Sequence, residues 1–465
     1  MPKPVIIEVG SVGPPAGYIT EAQIDAKVVN AVAAEPTVTA AAAAAVDAEP
    51  RISRLTSRTL DSRDYPDLQA FLNAVSSTKT PGRIHPGTYT VMASLAVGSN
   101  STVYMDGATL RYGTNTTLTG ILDIDGAENV TIRGGILDGN VTAQSVWSEY
   151  RHGVRIRASR NVRLEGVTFL DPVGDAVYIS HLAGDTAPYE GSADVWVERC
   201  LFTGQHKNRN GISIICAERI HIKHNTFLGM TRVGMPGSID LEPDNPDQYV
   251  RDVEISGNLI DGLRLGVIAS YGICVANHIA GTENMAGINV HHNHVTGDVA
   301  NGVYLIGHAT ATERGIAATA NHIHDLATTG TVRGVFVSNM DAEVSGNQID
   351  NVPTRAIEQA GTSTVTGRGN TISRTNTAVY VSTTTATGHY SDNDIAVTGA
   401  NSTGFAVNGN SGEYSDNRIR DAVFGFYMGT GVQGNWLFDN RMTSVGTAAA
   451  WAGGRHVSNL VRNTG

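Results

Sequence analysis

The sequence predicts an all-β chain, a right-handed parallel β-helix of about 12 rungs with an N-terminal helical arm and a capping helix. Two observations carry this prediction. The first is a recurring strand: a small residue, an apolar residue, a free position, then another apolar residue. It reads Gly153-Val-Arg-Ile, Ala176-Val-Tyr-Ile, Gly211-Ile-Ser-Ile, Ser238-Ile-Asp-Leu, Gly266-Val-Ile-Ala and Gly302-Val-Tyr-Leu. It continues as Gly334-Val-Phe-Val, Ala356-Ile-Glu-Gln, Ala378-Val-Tyr-Val, Gly404-Phe-Ala-Val and Gly425-Phe-Tyr-Met. Eleven copies, 21 to 36 residues apart, indicate a repeat architecture. The second is an Asn column that ends a following strand: Asn225, Asn258, Asn277, Asn293, Asn321, Asn347, Asn370, Asn393, Asn417 and Asn440. Short alternating strands with Gly and Asn at the corners suit a parallel solenoid. Asn amides stacked one rung apart can hydrogen-bond to their copies, which satisfies a buried polar corner without water.

Composition narrows the partners. The 465 residues carry a formal charge of −11 and no basic block, which argues against nucleic acid and anionic membrane surfaces. Three cysteines, Cys200, Cys216 and Cys274, are too few for a disulfide framework. Cys200 falls in the Asn column and reads as a small buried ladder residue, not a reactive thiol. No run of apolar residues is long enough for a membrane-spanning helix, so no membrane insertion is expected. Behind Met1-Pro-Lys-Pro there is no apolar signal core, and export by a signal peptide is not expected.

In chain order, residues 1–55 read as an N-terminal arm. A Pro- and Gly-rich stretch precedes a helix that Thr20 can cap, with Ile24, Val28, Ala31 and Val32 on one face. So thin an apolar stripe has no core of its own and fits a short bundle packed against copies of itself. Residues 56–117 lead into the solenoid. A second helix over 64–76 presents Leu68, Phe71, Leu72 and Val75 on one side, suited to covering the open end of the stack. The rungs span 118–445, and 446–465 read as a final cap strand.

Asp67-Leu-Gln-Ala-Phe-Leu-Asn-Ala followed by His85-Pro-Gly-Thr-Tyr-Thr-Val resembles the opening of the pectate-lyase-like β-helix superfamily. With the Ala-rich arm ahead of it, the layout is most similar to a bacteriophage tail spike or minor tail protein. That resemblance implies a homotrimer at the tail tip of a virion. It also implies attachment to phage tail proteins through the N-terminus and a host surface polysaccharide as ligand.

Alternation along the recurring strand puts its free position on the outer face. The column then reads Arg155, Tyr178, Ser213, Asp240, Ile268, Tyr304, Phe336, Glu358, Tyr380, Ala406 and Tyr427. Two residues later the same face carries Arg157, Ser180, Ile215, Glu242, Ser270, Ile306 and Ser338. Five aromatics on one column suit either a track for the apolar faces of sugars or packing against another subunit. Asp240 and Glu242 share a face, and two carboxyls at such spacing can divide acid and base or nucleophile roles in glycoside hydrolysis. With Asp244 and Asp247 they could instead hold Ca2+, or form a plain solvated turn stiffened by Pro243 and Pro246.

Gly174-Asp-Ala-Val-Tyr-Ile179 resembles the G-D-D-x-[VI]-x-I strand of polygalacturonase-like glycosidases, with Ala176 in place of the second acid. Asn210-Gly-Ile-Ser-Ile resembles their G-H-G-I-S-I, with Asn210 in place of the His. The expected catalytic set is therefore Asp240 and Glu242, assisted by Asp175. The expected substrate contacts are Tyr178, Arg155, Arg157, His206, Arg209, Asn210 and Tyr304. A lyase or epimerase would instead draw its cation and base from Arg155, Arg157, Arg209, His181 and His206. A receptor-binding or structural protein without catalysis is the third candidate. His291, His292 and His294 are split by the ladder turn at Asn293, so no zinc site is assigned to them and no cofactor is expected.

Overall fold

The computed structural model describes residues 59–450 except 115–117, 146, 183, 185, 281–283, 311 and 312, with the backbone of 451, 462 and 463. The expected arm of residues 1–55 lies outside the described residues. From Leu60 onward the chain winds through three parallel sheets of 15, 14 and 15 strands. One coil runs Gly237–Leu241, Val250–Ser256, Leu259–Asp261 and then passes a loop to Ala269–Ala276. Each strand pairs only with its counterparts one coil before and one coil after, as in a solenoid. The stack holds two or three more coils than the sequence repeats suggested. In the 14-stranded sheet the strands Leu95–Ala96, Gly120–Asp125 and Thr447–Trp451 lie outside the eleven repeats.

The capping helix is Leu68–Thr78, with Asp67 accepting a hydrogen bond from the Ala70 amide at 2.8 Å. It buries Phe71, Leu72 and Val75 against the first coils. Gln69 reaches the first strand of the 14-stranded sheet, accepting from the Ala96 amide at 2.8 Å and donating to its carbonyl at 3.0 Å. The amide thus occupies the hydrogen-bonding groups of a strand that would otherwise be an open edge.

Every coil has a third strand that the repeats did not reveal. From Ile136–Asp138 to Arg441–Thr443 it is three residues long, and in strands such as Thr226–Leu228 or His322–His324 only its middle residue is buried. A single apolar residue is too little to register as a periodic pattern. Those middle residues nevertheless stack through the core: Phe169, Phe202 and Phe227 lie with ring centroids 4.6 and 4.4 Å apart.

The Asn column sits at the corner between second and third strands. From Asn225 to Asn440 each side-chain amide donates to the next Asn carbonyl oxygen at 2.8–3.0 Å. Each also donates to a main-chain carbonyl of the preceding coil, as Asn321 does to Val290 at 2.9 Å. Cys200 heads the ladder, its amide donating to Asn225 Oδ1 at 2.8 Å. The residue before each ladder member turns the chain with a positive φ, for instance His224 at 55° and His292 at 54°. Asn277 is not part of the ladder; it donates to Glu313 at 2.8 Å.

Two readings of register change. The repeat at Gly266-Val-Ile-Ala is displaced by six residues: the strand that pairs is Ala269–Ala276, and Asp240 lies beside Cys274, which lies beside Tyr304. Cys274 therefore replaces Ile268 in the outward column, and Ala276 replaces Ser270 two positions on. Both segments fit the small–apolar–free–apolar pattern, and loop length decided between them. The outward face is also less open than alternation implied. Ser213, Asp240, Cys274 and Glu358 are buried on it, so part of this sheet is covered on both faces.

A candidate glycan-binding cleft on the covered sheet

Within the 14-stranded sheet, neighbouring coils bring together a buried polar layer. Arg209 donates to both oxygens of Asp175 at 3.2 and 3.3 Å and to Ser213 Oγ at 3.2 Å. Asn210 donates through its amide nitrogen to Asp240 Oδ2 at 3.0 Å and to Ser213 Oγ at 3.0 Å. Its main-chain N–H meets Asp175 at 3.2 Å, and its side-chain oxygen accepts from Gly237 at 3.2 Å. Arg209 and Asn210 thus hold the acids of two coils in place. Both residues end the loop that joins the strands Leu201–Thr203 and Ile212–Ile214.

Burial governs the charges. Asp240 is completely enclosed, and loss of solvent, reinforced by the negative Glu242, raises its pKa well above the carboxylate range. Asp175 is pushed up to about 6 by burial, against the pull of Arg209. His152, stacked 4.6 Å from Tyr178, is pushed down to about 3 by burial and by Arg155, Arg209 and Arg157. The two shifts oppose each other in stability. Asp175 holds its proton longer when folded, so its contribution is present at low pH and fades as pH rises from about 4 to about 6. His152 resists protonation when folded, so its contribution grows as pH rises from about 3 to the usual imidazole range. Asp175→Asn removes only the first. Between pH 4 and 6 its unfolding midpoint is therefore expected to climb more steeply than wild type, as thermal scans at stepped pH would show; a parallel profile would contradict these assignments.

Glu242 belongs to an outer layer. It follows directly on the strand Gly237–Leu241, keeps part of its side chain in solvent, and lies 3.4 Å from His278 Nε2. Burial, then the charge of Asp244, raises its pKa, while His278 pulls it down. It borders a cleft of about 180 Å3 that is also lined by Gly234, Met235, Pro236, Tyr271, Cys274, His278 and Tyr304. Tyr271 stacks on Tyr304 at 4.1 Å, and Tyr304 on Phe336 at 4.9 Å, so an aromatic platform begins at the cleft. Tyr271 escaped the sequence reading because the register slip placed it in a loop.

The other expected contacts are more committed. Arg155 pairs with Asp123 at 2.7 Å and Arg157 with Asp125 at 2.5 Å, each an acid of the preceding coil. His206 is buried, with Nδ1 3.0 Å from the Thr231 carbonyl and Nε2 2.8 Å from that of Gly262, and so ties two loops together. Tyr178 is half-buried against His152, four coils from Tyr304. Further along the column, Glu358 is clamped by Arg333 and by Arg355 at 2.6 Å, which interrupts the aromatic run before Tyr380. Asp244 and Asp247 lie exposed in the turn after the strand while Asp240 is enclosed beneath it. The four acids do not gather into a cation cage. A larger concavity of about 800 Å3 lies on a 15-stranded sheet, but its acids Asp341 and Glu343 are exposed and no aromatic lines it.

Comparison with known proteins agrees with the architecture. Residues 119–315 match the family model described as a right handed beta helix region. The fold is a right-handed parallel β-helix. This β-helix is similar to a mutant tailspike protein of E. coli bacteriophage HK620, solved in complex with a pentasaccharide, at 14% identity and a TM-score of 0.56. The match covers 86% of this chain and 79% of that one. PfbA, a surface adhesin of Streptococcus pneumoniae, aligns at 15% identity and a TM-score of 0.44 over 88% of this chain and 96% of its own. A search of curated proteins finds no sequence relative.

Proposed function

We propose that this β-helix is a phage tailspike-type protein that binds a host surface polysaccharide in the cleft beside Glu242 and hydrolyses it. The observation that carries the reading is a carboxyl of raised pKa at the rim of a cleft whose wall is an aromatic stack. Flat rings take the apolar faces of sugars, and a partly desolvated acid keeps its proton for a leaving oxygen. Glu242 gives its proton to the glycosidic oxygen as the bond to the anomeric carbon breaks. A water molecule adds to that carbon and gives up its proton to a second carboxylate, the role we give to Asp244, which stands two residues on and whose charge reaches Glu242. Asp240, enclosed behind Glu242, is a positioning residue, and Asp175 with Arg209 and Asn210 holds it in register.

The same reading takes the protein as a homotrimer at the tip of a virion tail, joined to tail proteins through residues 1–55. Its support is that a phage tailspike holds a pentasaccharide on this fold. A receptor-binding protein without catalysis is the second reading, favoured by the enclosure of Asp240. Lyase chemistry is less well supported, since Arg155 and Arg157 already neutralise acids of this chain.

Both leading readings need the aromatic wall. Tyr304→Ala removes the ring shared by Tyr271 and Phe336 and is expected to weaken glycan binding about tenfold, a typical loss for one stacking or anchoring aromatic. Titration with host oligosaccharides checks this. Undiminished affinity in a folded variant would remove the cleft from the binding site.

A further inference from the structure

The third sheet carries three imidazoles that glycan binding does not use. His294 and His322 are register partners on adjacent strands, and His324 follows two residues on, on the same face. Each ring offers a nitrogen, and these nitrogens all lie within 4.8 Å of one another. The ring centroids are 4.9 Å apart for His294 and His322, 4.6 Å for His294 and His324, and 4.4 Å for His322 and His324. The Nε2 atoms of His294 and His324 meet directly. All three rings are partly exposed, so an ion can reach them.

His324 is oriented for this. Its Nδ1 lies 2.7 Å from Asp325 Oδ2, and Asp325 Oδ1 accepts from Asn351 at 2.6 Å. A proton fixed on Nδ1 leaves the Nε2 lone pair turned toward His294, the carboxylate–histidine arrangement that tunes metal ligands. Asp325 adds a negative charge beside the cluster.

We propose that His294, His322 and His324 bind one divalent transition-metal ion of zinc's ligand preference, leaving one coordination position for water. Metal–nitrogen bonds of about 2.0–2.1 Å need ligand nitrogens roughly 3.3 Å apart, which small ring rotations supply. The ion would tie the coil of His294 to that of His322 on the outer surface. His291 and His292, which stand closer to His294 in sequence, take no part: His291 Nε2 lies 3.3 Å from Glu254, and His292 forms the ladder corner.

The test is calorimetric titration of the chelator-stripped full chain with Zn2+, with Co2+ absorption reporting the coordination geometry. One equivalent is expected to bind wild type and the His291→Gln/His292→Gln variant, and to be lost in His322→Gln/His324→Gln. Added Zn2+ should raise the unfolding midpoint of wild type and leave that of His322→Gln/His324→Gln unchanged, which also shows whether the second variant is folded. Wild type binding no ion, or binding that survives the loss of His322 and His324, would overturn the proposal.

Discussion

Replacing Glu242 with Gln is expected to lower the rate of glycan cleavage by about 10²- to 10⁴-fold, the usual contribution of a positioned general acid. Binding should stay close to wild type, because the amide keeps the shape of the cleft wall and the Tyr271–Tyr304 platform is untouched. Loss of rate with retained affinity would mean that the group acts mainly in the transition state. The pH profile adds a second reading. A general acid must be protonated, so the wild-type rate should fall as pH rises through the pKa of Glu242. Burial and Asp244 hold that pKa above the ordinary carboxylate range. Residual activity in Glu242→Gln should lack this alkaline fall. Asp240→Asn should behave differently. It keeps a neutral side chain beside Asn210 and is expected to alter the pH profile more than the limiting rate.

The second large effect concerns the ladder. Asn321→Ala is expected to destabilise the protein by about 3–5 kcal/mol. The estimate follows from two or three buried groups left without partners, at about 1–3 kcal/mol each. Asn321 Oδ1 accepts from the main-chain and side-chain nitrogens of Asn293, both at 3.0 Å. Its amide donates to Val290 at 2.9 Å and to Asn347 at 3.0 Å. Water cannot replace these contacts, because Asn293, Asn321 and Asn347 are each 1% exposed. Since each coil touches only its neighbours, the loosening should be local. Hydrogen exchange should quicken in the coils around Asn293 and Asn347 while the capping helix Leu68–Thr78 stays protected. An unchanged urea midpoint would show that the ladder amides satisfy one another too weakly to matter.

What the sequence disclosed follows from how strongly each feature repeats. The first strand and the Asn column recur with side chains of fixed character, so the solenoid and the capping helix were readable from residues alone. The third strand was not, because one inward residue flanked by polar ones carries no period. Missing it also hid the histidine cluster, whose members lie on two such strands. The slip from Gly272 to Gly266 arose where two segments satisfied one pattern. It concealed Tyr271 and Cys274, which line the cleft.

The candidate acids were legible as types and positions, but their environments were not. Whether Asp240 faces solvent depends on loops folding back over the strand, and local alternation says nothing about that. The pairing of Arg155 and Arg157 was visible in principle, since Asp123 and Asp125 stand one coil earlier with the same two-residue spacing. Only the register turns that spacing into contact.

The central claim is that the cleft beside Glu242 cleaves a surface polysaccharide by hydrolysis. Its most direct test is incubation of the purified protein with the capsule or cell-wall glycan of its host. Reducing ends and the ultraviolet absorbance of unsaturated uronates would be followed together. Reducing ends that rise without that absorbance, and that fail to rise with Glu242→Gln, are the predicted result. Absorbance rising alongside them would mean a lyase, and no cleavage with tight binding would mean a receptor-binding protein; either would contradict hydrolysis at Glu242.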